Sequence, residues 1–265
     1  MTIQKVMDII KYELEEITTY IDVLIEKVPE EKTGNYMKYF MNSKGHRLRP
    51  MLVVLAYKCF KQEHDVSLIK LSAILEFLHT ASLIHDDVID EADERRGQKS
   101  LNNLKGNKNS ILIGNVFYLE AFRLAAEFPD LIYFKNLVKT STEMCFGEVI
   151  QSESGDTRLD SNLYLDIIRR KTAMLISISC SEGARLAGAT EEQIKLMSEI
   201  GLILGFLYQI RDDSKDFDVD LEDTVDIQKL NSEFNKNFLE KFDNIQGNNI
   251  YKEAILSIKN SICEI

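Results

Sequence analysis

Proline and glycine are scarce, at three Pro and twelve Gly in 265 residues, and β-branched residues seldom alternate with polar ones. Without turn punctuation and without a period of two, a sheet protein does not fit and an all-helical one does. Paired cysteines are missing as well. Cys59, Cys145, Cys180 and Cys263 are scattered, with no CxxC or other zinc spacing, so they read as reduced thiols of a cytoplasmic protein rather than a disulfide framework or a zinc site. Basic excess is absent: 32 Lys and Arg stand against 43 Asp and Glu, a net charge of -11, which argues against nucleic acid as the principal partner. No uninterrupted apolar run reaches the roughly 18 residues of a transmembrane helix. The N-terminal stretch carries Asp8, Glu13, Glu15 and Glu16 among its apolar positions, unlike a signal or transit peptide. Hydrophobic residues make up 45% of the chain, ample for a buried core. With no repeat, low-complexity stretch or linker in sight, residues 1–265 read as a single all-α domain.

Helical periodicity is expected from Ile3 to Ile25, ending before Pro29, then from Met51 to about Phe60 and from Val66 into an acidic cluster that Arg95-Arg96-Gly97 terminates. Further helices are expected over Asn109–Glu127, Leu131–Ser152, Ser161–Leu186 and Glu191–Phe217, with shorter ones near Gln228–Asp243 and Tyr251–Ile262.

Against this background two acidic clusters of one form are conspicuous: Asp86-Asp87-Val88-Ile89-Asp90 and Asp212-Asp213-Ser214-Lys215-Asp216. Each is a DDxxD in apolar, helix-compatible sequence, and its first and last Asp, four apart, share one helix face. Clustered like charges destabilise a helix unless cations compensate them. Oxygen-only donors point to a hard ion, most simply Mg2+, which usually completes its shell with substrate phosphates. Basic groups suited to phosphate accompany the clusters: Gly45-His46-Arg47-Leu48-Arg49-Pro50, Arg95-Arg96 and Lys171-Thr172. Each has an ordinary reading too. Arg95-Arg96 could be cations at a helix end, Lys171-Thr172 a solvated stretch, His79 and His85 satisfied core histidines, and Gly147–Gln151 a site of close helix packing.

Taken in order, GHRLRP from Gly45, LIHDDVIDEADERRG from Leu83, GEVIQ from Gly147, KTAMLI from Lys171 and YQIRDDSKD from Tyr208 resemble the trans-isoprenyl diphosphate synthases. That resemblance implies an all-α bundle of the isoprenoid synthase type, with a central apolar cavity in which a prenyl chain grows. It implies Asp86, Asp90 and Asp212 as direct Mg2+ ligands, with Asp87, Asp213 and Asp216 supporting or ligating through water. It further implies Arg95, Lys171 and Gln209 on an allylic diphosphate, Thr172 and Gln209 lending oxygen dipoles to the developing cation, and Arg49, His79 and Arg96 on isopentenyl diphosphate.

The family's small-or-bulky product-length positions fall at Ala81 and Ser82; both are small, which implies medium or long polyprenyl products, with Phe117 or Phe122 as deeper floors. The implied assembly is a homodimer through central helices, or a heteromer with a second subunit. The sequence departs from the pattern at His46, where the family has Lys, at Gly114-Asn115, where it has Gly-Asp, and after Phe217, where a Gly-Lys loop and further helices are unrecognisable. These departures keep open a non-catalytic or partly disabled subunit of a heteromeric synthase, and a prenyltransferase acting on another acceptor, such as a peptide, is a further alternative.

Overall fold

The computed structural model describes residues 1–43, 45, 47–154, 160–216 and 225–263. Among them, helices carry almost all of the regular structure, and the chain divides into two compact units. One unit comprises residues 11–51 and 65–134, the other residues 1–10, 52–64 and 135–265.

In the first unit, α2 (Lys11–Glu26) and α3 (Glu31–Met41) precede the start of α4 (Leu48–Phe60), and α5 (Val66–Ile89) is the central element. Asp65 caps α5 by accepting from the Ser67 N–H, replacing one of the helix's orphan donor contacts. Leu68, Leu71, Ile74, Leu75, Phe77, Leu78, Ala81 and Ile84 of α5 are buried; each large side chain among them contributes about 1.5–3 kcal/mol on burial. By length and composition α5 could cross a membrane, but 72% of its most apolar window is buried inside the protein, as befits a core helix. It packs on α7 (Asn107–Ala125), where Phe77 and Phe117 meet edge to face at 5.2 Å.

Two differences from the sequence expectation arise here. The helix through the first acidic cluster ends at Ile89, with Asp90 as its cap, and a two-residue hairpin follows, Glu94–Arg95 (β1) against Gln98–Lys99 (β2). Arg96 and Gly97 both have positive φ, at 55° and 77°, the tight turn that suits a two-residue hairpin loop. Helix α3 was not expected: its sequence has a weak apolar stripe interrupted by Gly34, and it forms because Glu30 accepts from the Lys32 and Thr33 N–H groups while Met37, Phe40 and Met41 find burial. The short α6 (Leu101–Lys105), capped by Ser100, completes this unit.

The second unit contains α1 (Ile3–Ile9), most of α8 (Leu131–Ser154), α9 (Ser161–Ile168), α10 (Met174–Leu186), α11 (Glu191–Asp216), α12 (Ile227–Phe242) and α13 (Asn249–Cys263). The expected single helix from Ile3 is therefore broken at Ile10, whose φ and ψ of -115° and 22° leave the helical region. Between α9 and α10 the chain widens into a π-helical segment, Arg169–Ala173. Helix α11 lies against it so closely that a Cβ on Gly205 would stand 2.3 Å from the Ala173 Cα; only glycine permits that approach. A cluster of Tyr164, Ile168, Ala173, Phe206, Ile210 and Val225 fixes this corner, and Phe234 of α12 stacks on Phe206 at 4.5 Å.

Candidate active site

Both acidic clusters lie at helix C-termini, the first ending α5 and the second ending α11. Within each cluster the carboxylates repel one another and meet the negative end of their own helix dipole. Cations must offset this, and the structure supplies some of them.

In the first unit Asp87 is fully buried, and its Oδ1 accepts from the Arg95 Nε at 2.6 Å within a salt bridge. Burial pushes the Asp87 carboxyl up, while Arg95 pulls it down. The hairpin that replaced the expected helix extension is what turns Arg95 back onto Asp87. Asp86 is partly exposed and Asp90 exposed. Arg96, on the same hairpin, places its guanidinium 3.4 Å from Ser43 Oγ and 3.5 Å from His79 Nε2, and packs against Gly45. The His79 ring is held well below the ordinary histidine range, first by burial and then by Arg49, Arg96 and Arg95. It is therefore a neutral ring beside three guanidinium groups, and guanidinium groups so gathered suit a diphosphate. Arg49 is buried, 8% exposed, whereas Arg47 pairs with Glu76 at 3.3 Å. Ala81 is buried; Ser82 is partly exposed and donates to the His79 carbonyl at 2.9 Å. His85 lies against Gly114 and the Ile111 carbonyl. His46 lies outside the described residues, as do residues 217–224, where the family has its Gly-Lys loop.

In the second unit Lys171 and Thr172 occupy the π segment, an irregularity frequent at functional sites. The Lys171 Nζ contacts Gln151 Oε1 at 2.7 Å and Glu148 Oε2 at 2.6 Å. Both partners belong to the GEVIQ motif, and its Gly147 lets α8 approach: a Cβ there would stand 2.8 Å from the Arg170 Cβ. Thr172 Oγ1 donates to Gln209 Oε1 at 2.8 Å, and Gln209 Nε2 donates to Asp213 Oδ1 at 2.8 Å. The other Asp213 oxygen, Oδ2, accepts from the Tyr164 hydroxyl at 2.7 Å. Burial, and then the neighbouring Asp213 charge, push the Tyr164 phenol up, so it stays a donor. Asp212 Oδ1 accepts from Arg211 at 3.0 Å, while Arg211 also donates to the Ser261 carbonyl of α13 at 3.3 Å. Asp216 ends α11; its side chain lies outside the described residues.

Among the described residues no three His, Cys, Asp or Glu side chains converge as a ready metal cage. The donor chemistry nonetheless suits a hard divalent ion: every carboxylate is an oxygen donor, and Asp86 and Asp90 stand one helical turn apart at the exposed end of α5. Tyr164 and Ser43 lie outside the motifs singled out from the sequence, and Glu148 and Arg211 lie within GEVIQ and YQIRDDSKD without a role of their own. The position of Tyr164 two turns before Lys171 is the signal in the sequence that could flag it. A separate polar cavity of about 300 Å3, lined by residues including Asn136, Ser181, Glu182 and Arg185, touches none of the predicted site residues.

This helical architecture with two acidic helix ends is an isoprenoid synthase fold. Its closeness to a decaprenyl diphosphate synthase structure from Rhodobacter capsulatus is given by a TM-score of 0.89 at 21% identity, over 99% of this chain and 98% of that one. The chain belongs to the polyprenyl synthetase family, whose model matches residues 30–230. It is 34% identical over 185 residues to octaprenyl diphosphate synthase of Escherichia coli K12, covering 69% of this chain and 57% of that one. It is 38% identical over 187 residues to heptaprenyl diphosphate synthase component 2 of Geobacillus stearothermophilus, covering 69% of this chain and 58% of that one. The chain thus spans somewhat over half the length of the curated relatives it matches.

Proposed function

We propose that this protein is a prenyltransferase that condenses an allylic prenyl diphosphate with isopentenyl diphosphate. The observation that carries the reading is the assembly of Lys171, Thr172 and Gln209 beside the second acidic motif, through the contacts from Thr172 to Gln209 and from Gln209 to Asp213. Lys171 and Arg95 bind the allylic diphosphate. The oxygens of Thr172 and Gln209 offer negative dipoles to the allylic cation that forms as the C–O bond breaks. Arg49, Arg96 and neutral His79 hold isopentenyl diphosphate, whose alkene attacks that cation; the new cation loses a proton to the released pyrophosphate as the product double bond forms. Juxtaposition of Arg96, His79 and Ser43 supports this second diphosphate site, and with it isopentenyl diphosphate rather than a peptide acceptor. Asp86, Asp90 and Asp212 would hold Mg2+, with Asp216 in support. Bound there, the metal supplies neutralisation of the charge that builds on the departing diphosphate. Turnover of isopentenyl diphosphate with allylic primers of several lengths, dependent on added Mg2+, is the expected result; purified chain that incorporates no isopentenyl unit with any primer or partner would overturn the reading.

Small residues at Ala81 and Ser82 support products longer than fifteen carbons. The Phe77–Phe117 pair, one turn further from Asp86, is the stronger candidate floor, since Phe122 is only partly buried against Tyr118 and Phe134. Ala81→Phe is expected to shorten the product while preserving the first condensation, because it adds bulk on the tail side of the diphosphate ligands. Chain-length analysis of the products checks this, and a wild-type protein that stops at fifteen carbons would refute the open path.

Helix α7 leaves Ile111, Leu112 and Leu119 exposed at 43%, 53% and 66%, an apolar stripe that suits a subunit contact. A homodimer is the simplest assembly. The component 2 relative favours a second reading, a subunit that requires a different partner chain. Light scattering combined with the assay separates them: an active dimer of this chain alone supports the first, and an inactive chain rescued by a second subunit supports the other.

A further inference from the structure

Tyr164 is 3% exposed, and no sequence motif assigns it a role. Its hydroxyl nevertheless points at the second acidic motif rather than into the apolar cluster around its ring. From it runs a continuous chain of hydrogen bonds, Tyr164 to Asp213 Oδ2 at 2.7 Å, Gln209 Nε2 to Asp213 Oδ1 at 2.8 Å and Thr172 Oγ1 to Gln209 Oε1 at 2.8 Å.

The direction of this chain is set by chemistry. An ionised carboxylate only accepts, so the Gln209 amide must turn its NH2 toward Asp213. Its carbonyl oxygen then faces Thr172. Were Asp213 free to rotate, or replaced by a side chain that donates, the amide could flip and present N–H groups where an oxygen is needed. The phenol blocks that rotation by holding Oδ2 from a rigid, buried ring. Both Asp213 oxygens are thereby engaged by protein donors.

We propose that Tyr164 is a positioning residue: acting through Asp213, it fixes the Gln209 amide with its oxygen on the Thr172 side, and Asp213 serves this relay rather than ligating metal directly. The inference rests on the prenyltransferase reading for its kinetic consequence but not for its geometry. Removing a hydrogen bond to a charged group should cost roughly tenfold to a hundredfold.

Tyr164→Phe is therefore expected to lower kcat by about that factor while leaving both KM values unchanged. In a Gln209→Ala background the same substitution should have no further effect, because the relay already ends there. Mg2+-dependent binding of inorganic pyrophosphate, measured by calorimetry, should be equal for Tyr164→Phe and the unaltered protein. Equal kcat losses in both backgrounds would reduce Tyr164 to a packing residue and overturn the proposal. A tenfold loss of pyrophosphate binding would return Asp213 to the metal and overturn it likewise. Independently of turnover, the Gln209 side-chain amide, identified in a 15N–1H spectrum by its loss in Gln209→Ala, should exchange slowly in the native protein and faster in both Tyr164→Phe and Asp213→Asn. Unaltered exchange in these variants would refute the relay. Failure of the unaltered protein to use prenyl diphosphates, with the amide still protected, would refute the assigned reaction alone.

Discussion

Asp86→Ala or Asp212→Ala is expected to lower the condensation rate by at least about a hundredfold, and EDTA to abolish it, the loss that follows removal of an electrostatic transition-state contact of a few kcal/mol. The two carboxylates are the informative choices because of what their neighbours do. Asp87 is buried and engaged by Arg95, and Asp213 by Tyr164 and Gln209; removing either disturbs protein contacts as well as chemistry. Asp86 and Asp212 are partly exposed, so truncation to Ala costs little core packing. Each stands at a helix C-terminus, where loss of its charge relieves the helix dipole and offsets what is lost with its contacts, the Arg211 pair of Asp212 among them, leaving thermal stability little changed as activity collapses. Pyrophosphate release and melting temperature, measured together, check the pair of expectations. Product formation undiminished in Asp86→Ala would remove that residue from the metal site.

Lys171→Ala is expected to impair use of the allylic primer, whereas Arg96→Ala should chiefly raise the KM for isopentenyl diphosphate. Each substitution removes a charged hydrogen-bond donor, worth about 1.5–3 kcal/mol and so roughly tenfold to a hundredfold. The environments differ in a way that sharpens the contrast. Lys171 is held by Glu148 and Gln151, so its loss leaves Glu148 without that cation; Lys171→Arg restores charge and separates this indirect effect from loss of the substrate contact. Arg96 contacts Ser43 and His79 and its charge also acts on Asp87, so Arg96→Lys, which keeps the charge, makes the same separation there. Arg49→Ala should resemble Arg96→Ala, with added instability because Arg49 is buried. Steady-state kinetics with each substrate varied in turn decides the matter, and a reversed pattern would exchange the two site assignments.

Most helices were legible from apolar periodicity and the shortage of breakers, because those signals act within a few residues. The expected Glu191–Phe217 helix is observed over Glu191–Asp216, with Phe217 outside the described residues, and Leu131–Ser152 as Leu131–Ser154. The exceptions share a cause. The break at Ile10, the helix at Glu31–Met41, the early end of α5 and the π segment at Arg169–Ala173 are places where local preference is weak and packing or a cap decides.

The acidic motifs divide in the same way. The sequence by itself determined that three Asp residues fall together at each of two positions, that their donors are all oxygen, and that Arg95, Arg96, Lys171 and Gln209 accompany them. Only the tertiary structure decided which groups engage these carboxylates and how deeply each one is buried. Asp87 is bound from a hairpin eight residues on, Asp213 by Tyr164 forty-nine residues earlier, and Arg96 reaches Ser43 across fifty-three. The physical reason is that the chemistry of a carboxylate or guanidinium is set by burial and by the donors and acceptors around it, and here those groups arrive from distant segments brought together by packing.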